Sequence, residues 1–137
     1  MPQDMLTKMW EMQRTLNRFT FKKNCLRDYD AIAGDPERQD EWVQNYTLAM
    51  RQECAELMDS TNWKWWRTKV ERFDPQNIAV ELVDILHFWM SACQVMGMTP
   101  ESVFEAYMEK NKVNVERQES GYIKKDEDDC KHIGVSP

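Results

Sequence analysis

From Asp4 to about Phe21, apolar residues recur at Met5, Met9, Met12, Leu16 and Phe19, the alternating four-and-three rhythm of one face of an α-helix. A first helix is predicted there, and Gln13 and Asn17, four apart beside the stripe, project two amides together from its edge. The stretch RDYDAIAGDPERQD breaks the rhythm with Gly34, Asp35 and Pro36 and reads as a loop. A second helix is predicted from about Asp40 to Asp59, burying Trp42, Val43, Tyr46, Met50, Cys54 and Leu57, with Glu53 and Glu56 flanking that side. The clearest helix follows a Trp-rich connection. In FDPQNIAVELVDILHFWMSACQVMG, Asp74 is placed to cap, Pro75 to occupy the first helical position and Gly97 to stop the run. This segment is apolar almost all round, as the central helix of a bundle would be. Thr99 and Pro100 repeat the same start, and a fourth helix runs to about Gln118 before Ser120 and Gly121 end it. Tyr107, Lys110, Asn114 and Arg117 share one side of that helix. The expected fold is all-α, a four-helix bundle.

A chain of 137 residues suits one domain with a core, here assigned to residues 1–122, followed by a charged tail, 123–137, that is expected to hang free or dock as a flap. Hydrophobic residues at 42%, with only 4 Gly and 5 Pro, fit a folded helical protein rather than a disordered or turn-rich one. The net charge of −6 argues against a nucleic-acid polymer as partner, and it means that any phosphate ligand needs local cations or metal. Cys25, Cys54, Cys93 and Cys130 form no C-x-x-C pair, which points to reduced thiols in a cytosol rather than a zinc or redox motif. No uninterrupted apolar run approaches the roughly 20 residues of a membrane span, and no signal-peptide pattern opens the chain, so a cytoplasmic protein with no membrane contact is expected.

The candidate chemistry lies in two pairs of acids. Glu53 and Glu56 stand three apart on the second helix, and Glu81 and Asp84 three apart on the third, so each pair shares a face at about 100° per residue. Two ionised carboxylates within NIAVELVDILHFWM would cost several kcal/mol each without compensation, so a cation is expected between the helices. Hard oxygen ligands favour Mg²⁺, with Mn²⁺ also suitable, and such a site suits phosphate chemistry because the metal screens charge and activates water. The plain alternative is that Glu53 and Glu56 are solvated surface acids; it fits Glu81 and Asp84 less well, because they interrupt an apolar helix. His87, three after Asp84, makes half of a di-iron motif, but the other histidine, His132, lies in the tail. His87 is therefore read either as a core residue or as a phosphate-facing donor.

The pattern E-x-x-E, a spacer of 24 residues (57 to 80), then E-x-x-D resembles the all-α nucleoside triphosphate pyrophosphatases of the MazG-like superfamily. The wording of ECAELMDSTNWKWW, VELVDILHF, KNKVNVERQESGY and the early MQRTLN is similar to the dimeric-type dUTPases, in order across positions 12 to 122. This resemblance implies hydrolysis of dUTP to dUMP and pyrophosphate on Mg²⁺ held by Glu53, Glu56, Glu81 and Asp84, with Glu56 activating the water. It also implies uracil held by Gln13, Asn17 and Trp63, with at least one of Trp63, Trp65 and Trp66 serving only to pack. Lys110, Asn114 and Arg117 would grip phosphate oxygens, Tyr122 would close over the sugar, and Lys64 and His87 are further phosphate contacts. Larger dimeric dUTPases insert helices where only Trp89 to Glu109 stand here, so the chain resembles a compact, phage-type version. A homodimer or higher homo-oligomer is expected. Compact relatives also include dCTP-cleaving and broader pyrophosphatases, and a non-catalytic nucleotide- or metal-binding module is the alternative of another class.

Overall fold

The computed structural model describes residues 3–68, 73–121, 123–124 and 128–135. These residues are all-α, with four helices and no strand among them: α1 (Met5–Lys23), α2 (Pro36–Asp59), α3 (Pro75–Val95) and α4 (Pro100–Glu119). They divide into two compact units, Met1–Met96 and Gly97–Pro137.

In the first unit α2 packs mainly along α3, and α1 meets α3 and a short 3-10 helix, Tyr29–Gly34. Each helix starts where its capping chemistry dictates. The Asp4, Asp35 and Asp74 side chains accept from the amides of Thr7, Arg38 and Asn77, and Pro36 and Pro75 open their helices. The Asp35–Pro36 pair is why α2 begins before Asp40 and why the expected loop is largely helical. Arg38, buried, donates to the carbonyls of Asp28 and Arg27 at 3.0 and 3.1 Å, pinning the chain that leads into the 3-10 helix.

The core joins Phe21, Tyr29, Ile32, Tyr46 and Val95, with Trp42, Val43, Phe88 and Ala92 packed against it. Its rings form a chain from Phe21 to Trp42 (4.5 Å between centroids), Tyr46 (5.5 Å) and Phe88 (6.4 Å).

The sequence pattern misplaces two faces. On α1 the buried residues are Trp10, Gln13, Asn17 and Phe21, while Met5, Met12 and Phe19 of the apolar stripe are 83, 63 and 63% exposed. The inward face is selected by hydrogen bonds to α3 and the 3-10 helix, which the two amides make and methionines cannot. Cys54, expected inside, is exposed, and Val80, Leu82 and Val83 leave α3 half open. By length and composition α3 could also cross a membrane, contrary to the sequence reading. Its packing on α2 and its polar contacts, described below, are those of a helix inside a folded unit.

In the second unit Thr99 and Ser102 form a reciprocal capping box at the start of α4, and Gly121 takes the left-handed backbone (φ 66°) just beyond its end. Lys110 Nζ lies 2.9 Å from Cys130 Sγ, and Asp128 pairs with His132. All four cysteines are free thiols.

Candidate active site

Side by side, α2 and α3 bring Glu53, Glu81 and Asp84 together, one oxygen of each lying within 4.8 Å of the others. Glu81 is 9% exposed and is oriented by Asn77 Nδ2, which donates to its Oε1 at 3.3 Å and to Ser60 Oγ at 2.6 Å. Among the described residues none of the three acids forms an ion pair with a lysine or arginine. The Glu53 carboxyl is raised above its ordinary range, first by desolvation, then by a hydrogen bond with Glu81 and by the charges of Glu56 and Asp84. Three converging hard oxygens with uncompensated charge fit a divalent cation. Glu56 stands apart from this trio. It lies one turn along α2, exposed, with Gln52 Nε2 donating to its Oε1 at 3.0 Å.

A cleft of about 470 Å³ runs from Glu53 and Asp84 past His87 to Gln13 and Asn17, walled by Leu16, Phe21, Trp42, Tyr46 and Phe88. The amides predicted to share an edge of α1 do so, but they are 5 and 7% exposed and knitted into the protein. Gln13 Nε2 donates to Asn17 Oδ1 at 3.0 Å and to Ser91 Oγ at 3.2 Å, and Asn17 Nδ2 donates to Ser91 Oγ and Tyr29 Oη, both at 2.9 Å. Tyr29 Oη donates to Gln94 Oε1 at 2.7 Å, and Gln94 Nε2 donates to the Trp10 carbonyl at 2.8 Å. Burial pushes the Tyr29 hydroxyl up to about 12, so it stays protonated and donating. At the other end of the chain His87 Nδ1 meets Gln13 Oε1. Ser91 and Gln94 were not picked out from the sequence, although they carry the signal that marked Glu81 and Asp84, polar residues interrupting an apolar helix.

The remaining predicted residues are placed as follows. Trp63 and Lys64 lie in the connection after α2 and do not line the cleft; the Lys64 ammonium sits 5.2 Å from the Trp63 ring centroid. Trp66 meets both Trp63 and Trp65 edge to face at 5.7 Å, and all three rings are exposed, Trp65 at 86%. Lys110, Asn114 and Arg117 lie on α4, in the second unit. Tyr122 lies outside the described residues.

These features define an all-α protein with an acidic, metal-competent centre at one end of an amide-walled cleft. The chain belongs to the dUTPase family, whose pattern matches residues 5–93 and 90–122. It is also similar to the dCTP pyrophosphatase of Enterobacteria phage T4, 33% identical over 94 residues, 61% of this chain and 55% of that protein. The dCTP pyrophosphatase of Enterobacteria phage LZ5 is 32% identical over 108 residues, 71% of this chain and 60% of that protein. The chain thus spans just over half the length of these relatives. No solved structure matches it.

Proposed function

We propose that the chain is a divalent-metal-dependent pyrophosphohydrolase that cleaves dUTP or dCTP to the nucleoside monophosphate and pyrophosphate. The observation that carries this reading is the trio Glu53, Glu81 and Asp84, uncompensated by any cationic side chain described and opening into a cleft of nucleoside size. The family name supports dUTP and the phage relatives' names support dCTP. Glu53, Glu81 and Asp84 would hold Mg²⁺ or Mn²⁺, with Glu56 as a further ligand one turn along α2. The bound metal supplies charge neutralisation for the polyphosphate and lowers the barrier to forming a hydroxide nucleophile.

The chain's own residues then divide the work. Glu56, the most accessible of the four acids, takes the proton of the attacking water. Apolar walls from Leu16, Phe21 and Phe88 exclude solvent from the base. Lys110, Asn114 and Arg117, with Lys64, would grip phosphate oxygens, and Tyr122 would cover the sugar; residues 1–122 act in this reading as one catalytic domain. The exposed apolar stripe of α1 supports self-association as a homodimer, and the free thiols support a reducing cytoplasm.

Pyrophosphate release from a panel of deoxynucleoside triphosphates, with Mg²⁺ and with a chelator, tests the proposal. Release from a pyrimidine substrate that the chelator abolishes is expected. No release from any nucleotide, with binding retained, would replace the enzyme with a nucleotide-binding module.

A further inference from the structure

Ser60 and Asp74 stand at the two ends of the Trp-rich connection between α2 and α3, and three hydrogen bonds tie them and Asn77 into a ring. The Asp74 N–H donates to the Ser60 carbonyl at 3.1 Å, Asp74 Oδ1 accepts from the Asn77 N–H at 3.1 Å, and Asn77 Nδ2 donates to Ser60 Oγ at 2.6 Å. Ser60 is the C-cap of α2 and Asp74 the N-cap of α3, so the ring fastens the end of one helix to the start of the next. A capping aspartate by itself satisfies only amides of its own helix. Ser60 is 8% exposed, and its hydroxyl and carbonyl are both satisfied inside the protein.

The ring lies one helical turn from the acids on both sides. Glu56 precedes Ser60 by four residues, and Ser60 Oγ donates to the Glu56 carbonyl at 3.4 Å; Glu81 follows Asn77 by four and accepts from its Nδ2 at 3.3 Å. Residues four apart share a helix face, so the ring fixes the separation of α2 and α3 one turn from the point where Glu53 meets Glu81. The orientation of the Asn77 amide follows from its partner. A carboxylate only accepts, so Nδ2 faces Glu81 and spends one hydrogen there and the other on Ser60. One nitrogen therefore restrains both the rotation of Glu81 and the distance of its helix from the helix that carries Glu53. Ionised acids cannot hold that spacing themselves, because like charges repel.

We propose that Asn77 is a positioning residue for the metal centre: through Ser60 it sets the spacing of α2 and α3, and through Glu81 it presents a carboxylate to the divalent ion. The inference rests on the reading of Glu53, Glu81 and Asp84 as metal ligands. Asn77 touches neither the ion nor the nucleotide in this role, and its loss acts on the affinity of the site for metal.

The test adds Mn²⁺ alone to the full chain and counts the free ion by its electron paramagnetic resonance signal, for the unmodified chain and for Asn77→Ala, Ser60→Ala and Gln94→Leu. Asn77→Ala should raise the dissociation constant by about tenfold or more, the usual cost of losing a residue that orients a metal ligand. Ser60→Ala, which keeps the amide beside Glu81 and the main-chain cap of α2, should weaken binding in the same direction, and it decides the matter should Asn77→Ala not fold. The double variant should bind no more weakly than Asn77→Ala, because the two side chains act as one unit. Gln94→Leu, which disturbs α3 at its other end without touching the ring, should bind Mn²⁺ as the unmodified chain does. Unchanged affinity in Asn77→Ala or in Ser60→Ala, or an equal loss in Gln94→Leu, overturns the proposal. An unmodified chain that takes up no Mn²⁺ overturns the metal reading itself, whereas tight binding indifferent to both ring variants overturns this inference alone.

Discussion

The two halves of α3 bury polar groups in opposite ways. Toward its C-terminal end Ser91 and Gln94 enter a neutral circuit with Gln13, Asn17 and Tyr29, where each donor meets an acceptor of the protein. Toward its N-terminal end Glu81 and Asp84 meet Glu53, three acids facing one another with one amide donor from Asn77 to share. A closed circuit specifies a structure, because no ligand is needed to satisfy it. The acidic trio is incomplete by itself, and the missing charge is what a substrate-bound cation would bring. The difference separates residues that hold α1 in place from residues that wait for something to bind.

Breaking the open end should have the largest effect. Glu81→Gln keeps the size of the side chain and removes one charge. Pyrophosphate release should fall by about a thousandfold, the ~4 kcal/mol typical of losing one electrostatic group at a reacting centre. The metal-free variant should be no less stable than the parent, since a like charge has been removed. Added Mg²⁺ should stabilise the parent, by ~2.7 kcal/mol at a hundred times the dissociation constant, and so raise its melting temperature, while leaving the variant unmoved. Unchanged turnover in Glu81→Gln would remove the trio from the active site.

The closed end should respond in stability. Gln94→Leu removes the second bond to the Trp10 carbonyl, which keeps its bond within α1, and leaves the Tyr29 hydroxyl only the long contact to the Ser91 carbonyl at 3.5 Å. A loss of ~2–3 kcal/mol is expected, read from the midpoint of urea unfolding. A loss below ~0.5 kcal/mol would show that the circuit does not secure α1.

A third polar cluster sharpens the contrast because its charges are paired and partly exposed. Asp30 of the 3-10 helix accepts from Arg18 at 2.6 Å and from Arg14 at 3.1 Å on α1, and these bonds, Arg18 first, hold its carboxyl below the usual range. A depressed carboxylate contributes stability that is complete above the unfolded value of about 3.9 and is lost as pH falls through its lower folded value. Asp30→Asn should therefore cost at most ~1 kcal/mol near neutrality, given the solvent screening of exposed pairs, and the gap to the parent should close as the pH falls below about 4. Urea unfolding at several pH values measures that convergence.

Much of this organisation is visible in the sequence, for local reasons. Caps at Asp74 and Thr99 announce α3 and α4 because one side chain and one proline act within a single turn. The acid pairs are legible for the same reason, as interruptions of an apolar helix. What the sequence conceals is which face of α1 turns inward, since Met5, Met9, Met12, Leu16 and Phe19 form the more regular apolar stripe and yet lie outside. The choice is made by partners 74 to 84 residues away on α3, which no local periodicity can report. The same distance hides the structural employment of Gln13 and Asn17: two amides on a helix edge read as free to bind a ligand until Ser91 and Tyr29, with Asn17 accepting from Gln13, are seen to occupy their hydrogens.

That outward stripe also sets the order in which the protein ages in an oxidising medium. Met5 and Met12 offer their thioethers to peroxide at 83 and 63% exposure, whereas Met90 is sheltered at 3%. Conversion of the first two to sulfoxides would turn the greasy flank of α1 polar while leaving the interior intact. The flank proposed above to hold a second copy is thus open to chemical damage.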